Sequence, residues 1–340
     1  MSETMRAIDI KNGTGPATAL YINAQTPKPV PTATQALVRI KCFGLNRMDL
    51  LQREGKYPVP PQAPKTLGVE FSGTIESLGP SSEATFKVGD AVFGLAYGGA
   101  YAEYIAVSTH MLVHRPPELS FEQCAAIPET WITALQAMYL VGGFGPGQSI
   151  LWHAGASSVS IAGIQLSRAD GASAVYATAR QDDKVRFIQE ALGADKAFNT
   201  TTTDWVQGVR DASGGKGVDV IIDFVGASTF GPNLSAAARD GRIVNLGFLG
   251  GTQLDGQGVD MGAFIAKRLR YEGSSLRSRD EAYQGALRDR LVEVALPRFR
   301  SGEFTVYIER VFAFEEEQVV EAHRLMESNR TKGKLVVTIP

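Results

Sequence analysis

The sequence predicts an α/β protein in two parts: a strand-rich domain assembled from both ends of the chain, and between them a doubly wound parallel-sheet domain. Three observations carry this expectation. Short β-branched runs separated by glycine turns fill residues 34–115, and apolar strands alternate with helical stretches from 149 to 248. The closing strand, GKLVVTIP, has the composition of the first region and not of the second. With 340 residues and 44% apolar content, the chain is long enough for two domains of roughly 100–200 residues each.

In chain order, ALVRIKC (36–42), GVEFSGTIESLG (68–79), VGDAVFGL (88–95) and YAEYIAV (101–107) alternate or nearly alternate, which reads as an antiparallel sheet or partial barrel. The proline-rich stretches 27–31 and 58–64 read as loops, because proline removes a ladder donor and fixes φ. SFEQCAAIPETWITALQAMYLVGGF opens with Ser120 and Gln123 in capping-box spacing, and Pro128 divides its helical run in two. Then come SILWHAG (149–155), a helix over 158–169, ASAVYATA (172–179), a helix over 182–194, VDVIIDFVG (218–226) and GRIVNLGF (241–248), with helices near 203–212 and 229–238. Strands apolar on both faces and alternating with helices imply a parallel sheet covered on both sides. Past residue 280 follow a polar helix, FTVYIERVFAF, a helix whose acids Glu315–Glu317 complement its dipole, and the last strand.

Composition excludes several classes. With 34 Lys plus Arg against 36 Asp plus Glu, the net charge of −2 gives no footprint for nucleic acid or an anionic membrane. Two cysteines, Cys42 and Cys124, supply neither a disulfide framework nor a four-thiolate zinc site. Neither a signal-peptide run nor a stretch of about 18–20 apolar residues is visible, so a cytoplasmic location is expected. His110 and His114 are four apart but lie in a strand-rich segment ending at Pro116 and Pro117, and His153, at a buried strand end, reads as a satisfied core imidazole. There is no G-x-S-x-G elbow and no paired-carboxylate motif, so hydrolase chemistry lacks its residues.

What remains is the strand-to-helix turn in HAGASSVSIAGIQL (153–166). A pyrophosphate needs converging backbone amides at a helix N-terminus, and Gly155, Ala156, Ser157, Ser158, Val159 and Ser160 are small or β-branched enough to allow that approach. Only one is glycine, so the G-x-G-x-x-G fingerprint is absent and an ordinary turn stays open. At the end of the next strand an Asp or Glu would grip the 2′-hydroxyl of NAD, whereas here Ala179 is followed by Arg180 and Lys184, cations suited to a 2′-phosphate. NADPH is therefore favoured, with plain surface charge, suggested by Asp182 and Asp183, as the alternative.

Taken together, GLNRMDLLQREGKYP (44–58), LGVEFSGTIESLG (67–79), VGDAVFGL, AAIPETWITAL (125–135), LWHAGASSVSIAGIQL, LGADKAFN (192–199), VDVIIDFVG and SLRSRD (275–280) resemble the medium-chain dehydrogenase/reductase superfamily. The nearest branch is the zinc-independent NADPH quinone oxidoreductases of the zeta-crystallin and p53-inducible type. The resemblance runs over essentially the whole chain. It implies a GroES-like catalytic domain over 1–130 and 277–340, a Rossmann NADP-binding domain over 131–276, a cleft between them and a homodimer. It also implies no metal, because zinc-dependent relatives carry Cys at the position of Asn46 and His at that of Val69. Carried over by motif, Asn46 and Tyr57 are the catalytic residues, and Thr133 contacts the carboxamide. Ala156, Ser158 and Val159 fall on the pyrophosphate turn that Gly155 opens, and Lys184 matches the lysine that holds the 2′-phosphate, with Arg180 added by its charge alone. Val225, Gly226, Leu246, Gly247, Phe248, Ser274 and Leu276 line the cofactor. The sequence departs from the pattern at Ser158 and Ser160, where glycines are usual, at Arg180–Gln181 and at Thr200. A serine at positive φ would cost on the order of 1 kcal/mol, which its hydroxyl would offset by bonding a phosphate. The implied activity is hydride transfer from NADPH to a quinone or an α,β-unsaturated carbonyl. An enoyl reductase of secondary metabolism and a non-catalytic, crystallin-like NADPH-binding protein are the alternatives.

Overall fold

The structure is a computed structural model, and it describes residues 3–254 and 258–340. The chain divides into two compact units, one formed by Met1–Ile132 with Arg277–Pro340 and the other by Thr133–Leu276.

In the first unit β1 (Thr4–Ile10) and β2 (Leu20–Pro27) pair as an antiparallel ribbon. They precede β3 (Gln35–Gly44), α1 (Arg47–Arg53), β4 (Glu70–Leu78), β5 (Ala91–Leu95), β6 (Tyr104–Ser108), β7 (Leu112–His114), α2 (Phe121–Ala125) and α3 (Pro128–Leu135). The reciprocal Ser120–Gln123 capping box opens α2, and Pro128 begins α3, as the sequence predicts. The second unit holds β8 (Ser149–Trp152), α4 (Ser158–Ala169), β9 (Ala174–Ala179), α5 (Asp182–Glu190), β10 (Lys196–Asn199) and α6 (Trp205–Ala212). It continues with β11 (Val218–Asp223), α7 (Ala227–Ala236), β12 (Ala237–Asn245), α8 (Gly262–Lys267) and β13 (Arg270–Gly273). The chain then returns to the first unit through α9 (Glu281–Arg290), α10 (Leu296–Arg300), β14 (Ile308–Ala313), α11 (Glu316–Glu327) and β15 (Lys334–Thr338).

The first unit's main sheet runs β14-β15-β3-β4-β5-β7, with β6 also on β3. It is antiparallel except for β14 beside β15, which run parallel because α11 carries the chain back between them. The strands within 34–115 pair antiparallel throughout, as the sequence predicts. Cys42 and Cys124 are both free and buried. Burial pushes each thiol up to about 12, which leaves them inert packing groups.

The second unit's sheet runs β10-β9-β8-β11-β12-β13 with every pair parallel. This order reverses direction between β8 and β11, so the loops leaving those strands diverge and open a crevice at their C-terminal ends. Packing fixes α4 against β8: the buried Trp152 ring lies directly over Gly163, where a Cβ would fall inside the indole, and its Nε1 donates to Ser167 Oγ (3.1 Å). Leu151, Val209, Ile221, Leu234 and Ile243 build the adjoining core. Among the described residues no helix is long and apolar enough to cross a membrane.

Candidate active site

In the first unit β3 ends at Gly44 and the chain turns through Asn46 into α1. Asn46 is the N-cap residue, and its backbone N–H donates to Asp49 Oδ2 (2.8 Å) in a capping box. Its amide is also the centre of a buried polar cluster. Nδ2 donates to Glu70 Oε1 on β4 (2.8 Å), while Oδ1 accepts from Lys334 Nζ at the start of β15 (2.6 Å). Lys334 also forms an ion pair with Glu70, and Glu70 Oε2 accepts the backbone N–H of Glu129 on α3 (2.9 Å). The side chain of Glu70 is fully buried and that of Lys334 is 3% exposed. An ammonium has no acceptor and a carboxylate no donor, so these two partners fix which way the Asn46 amide points.

Tyr57, in the loop after α1, is half-buried with the Arg277 guanidinium 5.3 Å from its ring centroid. Arg277 is held by Tyr97 O (2.7 Å) and Gln52 Oε1 (2.8 Å). Burial raises the Tyr57 phenol above its ordinary range, and the charge of Glu129 adds to the effect. Burial likewise raises Asp49 to about 6, against the pull of the Asn46 N–H. Tyr101 OH donates to Asp49 Oδ2 (3.2 Å) and packs on His323, whose other ring nitrogen meets Arg53 (3.1 Å).

In the second unit the residues expected to bind a cofactor, Thr133 apart, fall at the C-terminal ends of β8, β9, β11, β12 and β13. Gly155 and Ala156 make the turn into α4, and Ser158 and Val159 are its first helical residues, whose amides have no intrahelical acceptor. Ser157, not Ser158, caps the helix, accepting from the Ser160 N–H. The strain expected at Ser158 and Ser160 is absent, because both are helical; the left-handed residue of this turn is Ala154 (φ 49°). Ser160 is no phosphate ligand either: it is buried, and its hydroxyl donates to His153 O (2.8 Å). A Cβ at Gly155 would lie 2.7 Å from Ile188 Cδ1 and 2.8 Å from Ala177 Cβ, so only glycine lets this turn sit on the sheet.

Arg180 is exposed just past β9, Lys184 is half-buried on α5, and Asp182 accepts from Asn199 Nδ2 (2.6 Å). On the other side of the crevice, Asp223 at the end of β11 accepts from the Val225 N–H (2.6 Å), Thr229 Oγ1 (2.8 Å) and Asn233 Nδ2 (2.8 Å). Gly226 takes φ 86° at the head of α7. His153 is a satisfied core imidazole, held by Thr178 Oγ1 and Asn233 Oδ1 (both 2.8 Å) and driven toward neutrality by burial. Leu246 and Gly247 are half-buried beyond β12, Phe248 is 60% exposed and so no part of a core, and Leu276 is buried. Ser274 Oγ, beyond β13, is buried with no hydrogen-bond partner, a vacancy in hydrogen bonding that a ligand group would fill. Thr133 is buried on α3.

Comparison with known proteins reflects both halves. Residues 32–117 match the alcohol dehydrogenase GroES-like domain, and residues 158–291 match the zinc-binding dehydrogenase family. Quinone oxidoreductase of Pongo abelii is 30% identical over 252 residues, covering 74% of this chain and 75% of that protein. The chain belongs to the medium-chain dehydrogenase/reductase superfamily. Its membership makes it an oxidoreductase with a GroES-like domain and a Rossmann-type domain. Among solved structures, a quinone oxidoreductase of Pseudomonas syringae pv. Tomato DC3000 superposes with a TM-score of 0.85 at 27% identity, covering 98% of this chain and 99% of its own. Mycobacterial Rv1454c, solved as a complex with NADPH, superposes with a TM-score of 0.84 at 26% identity and the same coverage.

One family description speaks of zinc, and the residues of this chain do not fit it. Asn46 has an amide already engaged by Glu70 and by the Lys334 ammonium, and Val69 is a buried isopropyl group. Among the described residues no group of three or more His, Cys, Asp or Glu is arranged to hold a metal ion.

Glu70, Glu129, Lys334, Asp223 and Asn233 are absent from the sequence-derived candidates. A signal for three of them was present: Glu70 in GVEFSG and Lys334 in GKLVV are lone charges in apolar strands, Asp223 closes the apolar run VIID, and such charges must find partners.

Proposed function

We propose that this protein is an NADPH-dependent, zinc-independent reductase of quinones or α,β-unsaturated carbonyls. The observation that carries the reading is the fixed orientation of the Asn46 amide. Of the two Nδ2 hydrogens one points to Glu70, which leaves the other as a pre-oriented donor for an acceptor's carbonyl oxygen. Such a donor stabilises the charge that develops on that oxygen and needs no reorganisation to do so. Tyr57, half-buried nearby on the same unit, supplies a second hydroxyl donor or a wall for the acceptor ring.

When bound, the dihydronicotinamide supplies the hydride, and the protein contributes binding, orientation and exclusion of water. Gly155, Ala156, Ser158 and Val159 would receive the pyrophosphate on the first amides of α4. Arg180 and Lys184 would pair with the 2′-phosphate, in a place where Ala179 offers no carboxylate to repel it. Val225, Gly226, Leu246, Gly247, Phe248, Ser274 and Leu276 would line the remainder, with Ser274 Oγ gaining the partner it lacks. Thr133 would hold the carboxamide. Zinc independence follows from the donor set at Asn46 and Val69.

The test is NADPH oxidation measured against a panel of ortho-quinones and enones, with NADH as control. Turnover with several acceptors and a preference for NADPH are expected; a narrow preference for one enone would point to a dedicated enoyl reductase. Tight NADPH binding with no turnover on any acceptor would leave a binding protein and end the enzymatic reading.

A further inference from the structure

A second concentration of charge lies in the Thr133–Leu276 unit, at the end of its sheet away from the crevice. Residues 210–217, 235–242 and 267–270 lead into the N-terminal ends of β11, β12 and β13. Together these segments carry seven Lys and Arg against two Asp, in a chain whose net charge is −2. Arg210, Lys216, Arg239 and Lys267 line a cavity of about 440 Å³, and no carboxylate lines it with them. The six residues of β11, at about 3.3 Å each, put roughly 20 Å between this cavity and the crevice at the other end of the sheet.

The four cations are not equivalent. Lys267 Nζ donates to Leu234 O (2.9 Å), Ser235 O and Ala237 O (both 2.8 Å), so its three hydrogens are spent on the carbonyls that end α7. One ammonium already answers the partial negative charge of that helix end, about half an elementary charge, which leaves the other three cations in excess. Arg210 makes one long bond to Ser235 O (3.4 Å). Lys216 and Arg239 are exposed and have no ion-pair partner among the described residues, because Asp240, beside Arg239, is gripped by Arg268 through Nε (2.7 Å) and Nη2 (2.5 Å). Burial, and then the charge of Arg210, pushes the Lys267 ammonium below its ordinary range, so like charges act on one another here with no carboxylate to offset them. Gly215 and Gly217, at φ 82° and 84°, carry the chain past Lys216 with no side chain to narrow the space. No aromatic ring lines the cavity either, so it offers charge and no stacking surface.

We propose that this cavity is a binding site for a small soluble polyanion carrying at least two phosphate groups, held by Arg210, Lys216 and Arg239 and separate from the cofactor crevice. Guanidinium forks pair with phosphate oxygens two at a time, and the lysine serves as a point charge. Two phosphates match the charge of the four cations, whereas one would leave an excess of positive charge. With no ring to stack on, the site selects for phosphate groups and not for a base. It stands apart from the reductase reading: a protein without turnover would keep the site, and a protein without the site could still be a reductase.

The test is calorimetric titration of the intact, cofactor-free protein with inorganic pyrophosphate at about 0.15 M salt, where exposed charges are screened beyond about 8 Å, with orthophosphate as control. Pyrophosphate should bind at least 10-fold more tightly than orthophosphate. Lys216→Ala combined with Arg239→Ala should weaken a component of that binding on the order of 10-fold to 100-fold. The turn into α4 with Arg180 and Lys184 also suits phosphate, so the second arm combines Arg180→Ala with Lys184→Ala, which should leave the same component intact. Pyrophosphate binding that survives loss of Lys216 and Arg239 unchanged overturns the proposal, as does binding no tighter than that of orthophosphate. A single-stranded oligonucleotide held through Lys216 and Arg239 that pyrophosphate fails to displace would make the patch a nucleic-acid surface and refute the small ligand. Both side chains are exposed, so the double variant should melt with the wild type. Should it melt early, Lys216→Gln with Arg239→Gln, which keeps the stems and loses the charges, carries the same expectations.

Discussion

Replacing Lys334 by methionine probes the polar cluster most directly. The substitution keeps the length and apolar stem of the side chain and removes the ammonium from a pair whose members are 3% and 0% exposed. Breaking a buried ion pair from one side costs about 3–5 kcal/mol, because the remaining charge stays desolvated. Glu70 keeps two donors, Asn46 Nδ2 and the Glu129 N–H, which offset part of that loss and place the expected value near the lower end, about 3 kcal/mol. For a unit of this size each kcal/mol corresponds to about 2–4 °C, so the first unit should melt about 6–12 °C earlier. Adding Glu70→Gln to K334M removes the orphaned charge and should recover at least half of the deficit. The assay is thermal unfolding of wild type, both single variants and the double variant. A K334M protein that melts within about 2 °C of wild type, or a cycle that is strictly additive, would refute the electrostatic account of the cluster.

Other consequences can be checked on the same protein. Removing the cations past β9 with Arg180→Ala and Lys184→Ala should weaken NADPH binding by about 10-fold to 100-fold, from the worth of a charge-assisted bond, and leave NADH unchanged in calorimetric titrations. Gly163→Ala should destabilise the second unit by about 1–3 kcal/mol, since its methyl group competes with the Trp152 ring; a normal melting curve would contradict that packing. His323 is held neutral, driven down to about 3 by burial and then by Arg53, so the stability it contributes is present above its ordinary value of 6.5 and lost as pH falls toward 3. His323→Gln should flatten that acid limb of a melting-temperature profile.

Much of the second unit is legible in the sequence because its strands are apolar on both faces and its glycine turns mark their ends. The sites of Gly155, Gly226 and Ala179 follow from that rhythm alone. Boundaries slip where propensity and tertiary contacts disagree: the helix expected over 229–238 is Ala227–Ala236, and Ala237 already belongs to β12 because it pairs with Val218. The first unit is less legible. The β1 and β2 ribbon lies in a segment of mixed polarity, and α1 is too short to show a helical period. The polar cluster is the least legible of all, since Asn46 and Lys334 are 288 residues apart and only the folded sheet, with β15 beside β3, puts them together. Local spacing carries no record of such a pairing. The turn serines mislead for a different reason: they stand where glycines are usual, yet the backbone takes its left-handed step at Ala154.

That span of sequence also fixes an order of events at the ribosome. Synthesis delivers Asn46 and Glu70 early, the whole Thr133–Leu276 unit next, and Lys334 only afterwards. Until β15 emerges and docks, β3 lacks one of its sheet neighbours and Glu70 lacks its counter-ion, so the first unit stays incomplete and less stable, while the contiguous second unit is free to fold as soon as it is clear of the exit tunnel. Ordering of the polar cluster around Asn46 therefore waits for the chain to return to the first unit, and a chain cleaved ahead of β15 would be left with a folded Thr133–Leu276 unit and an incomplete first one.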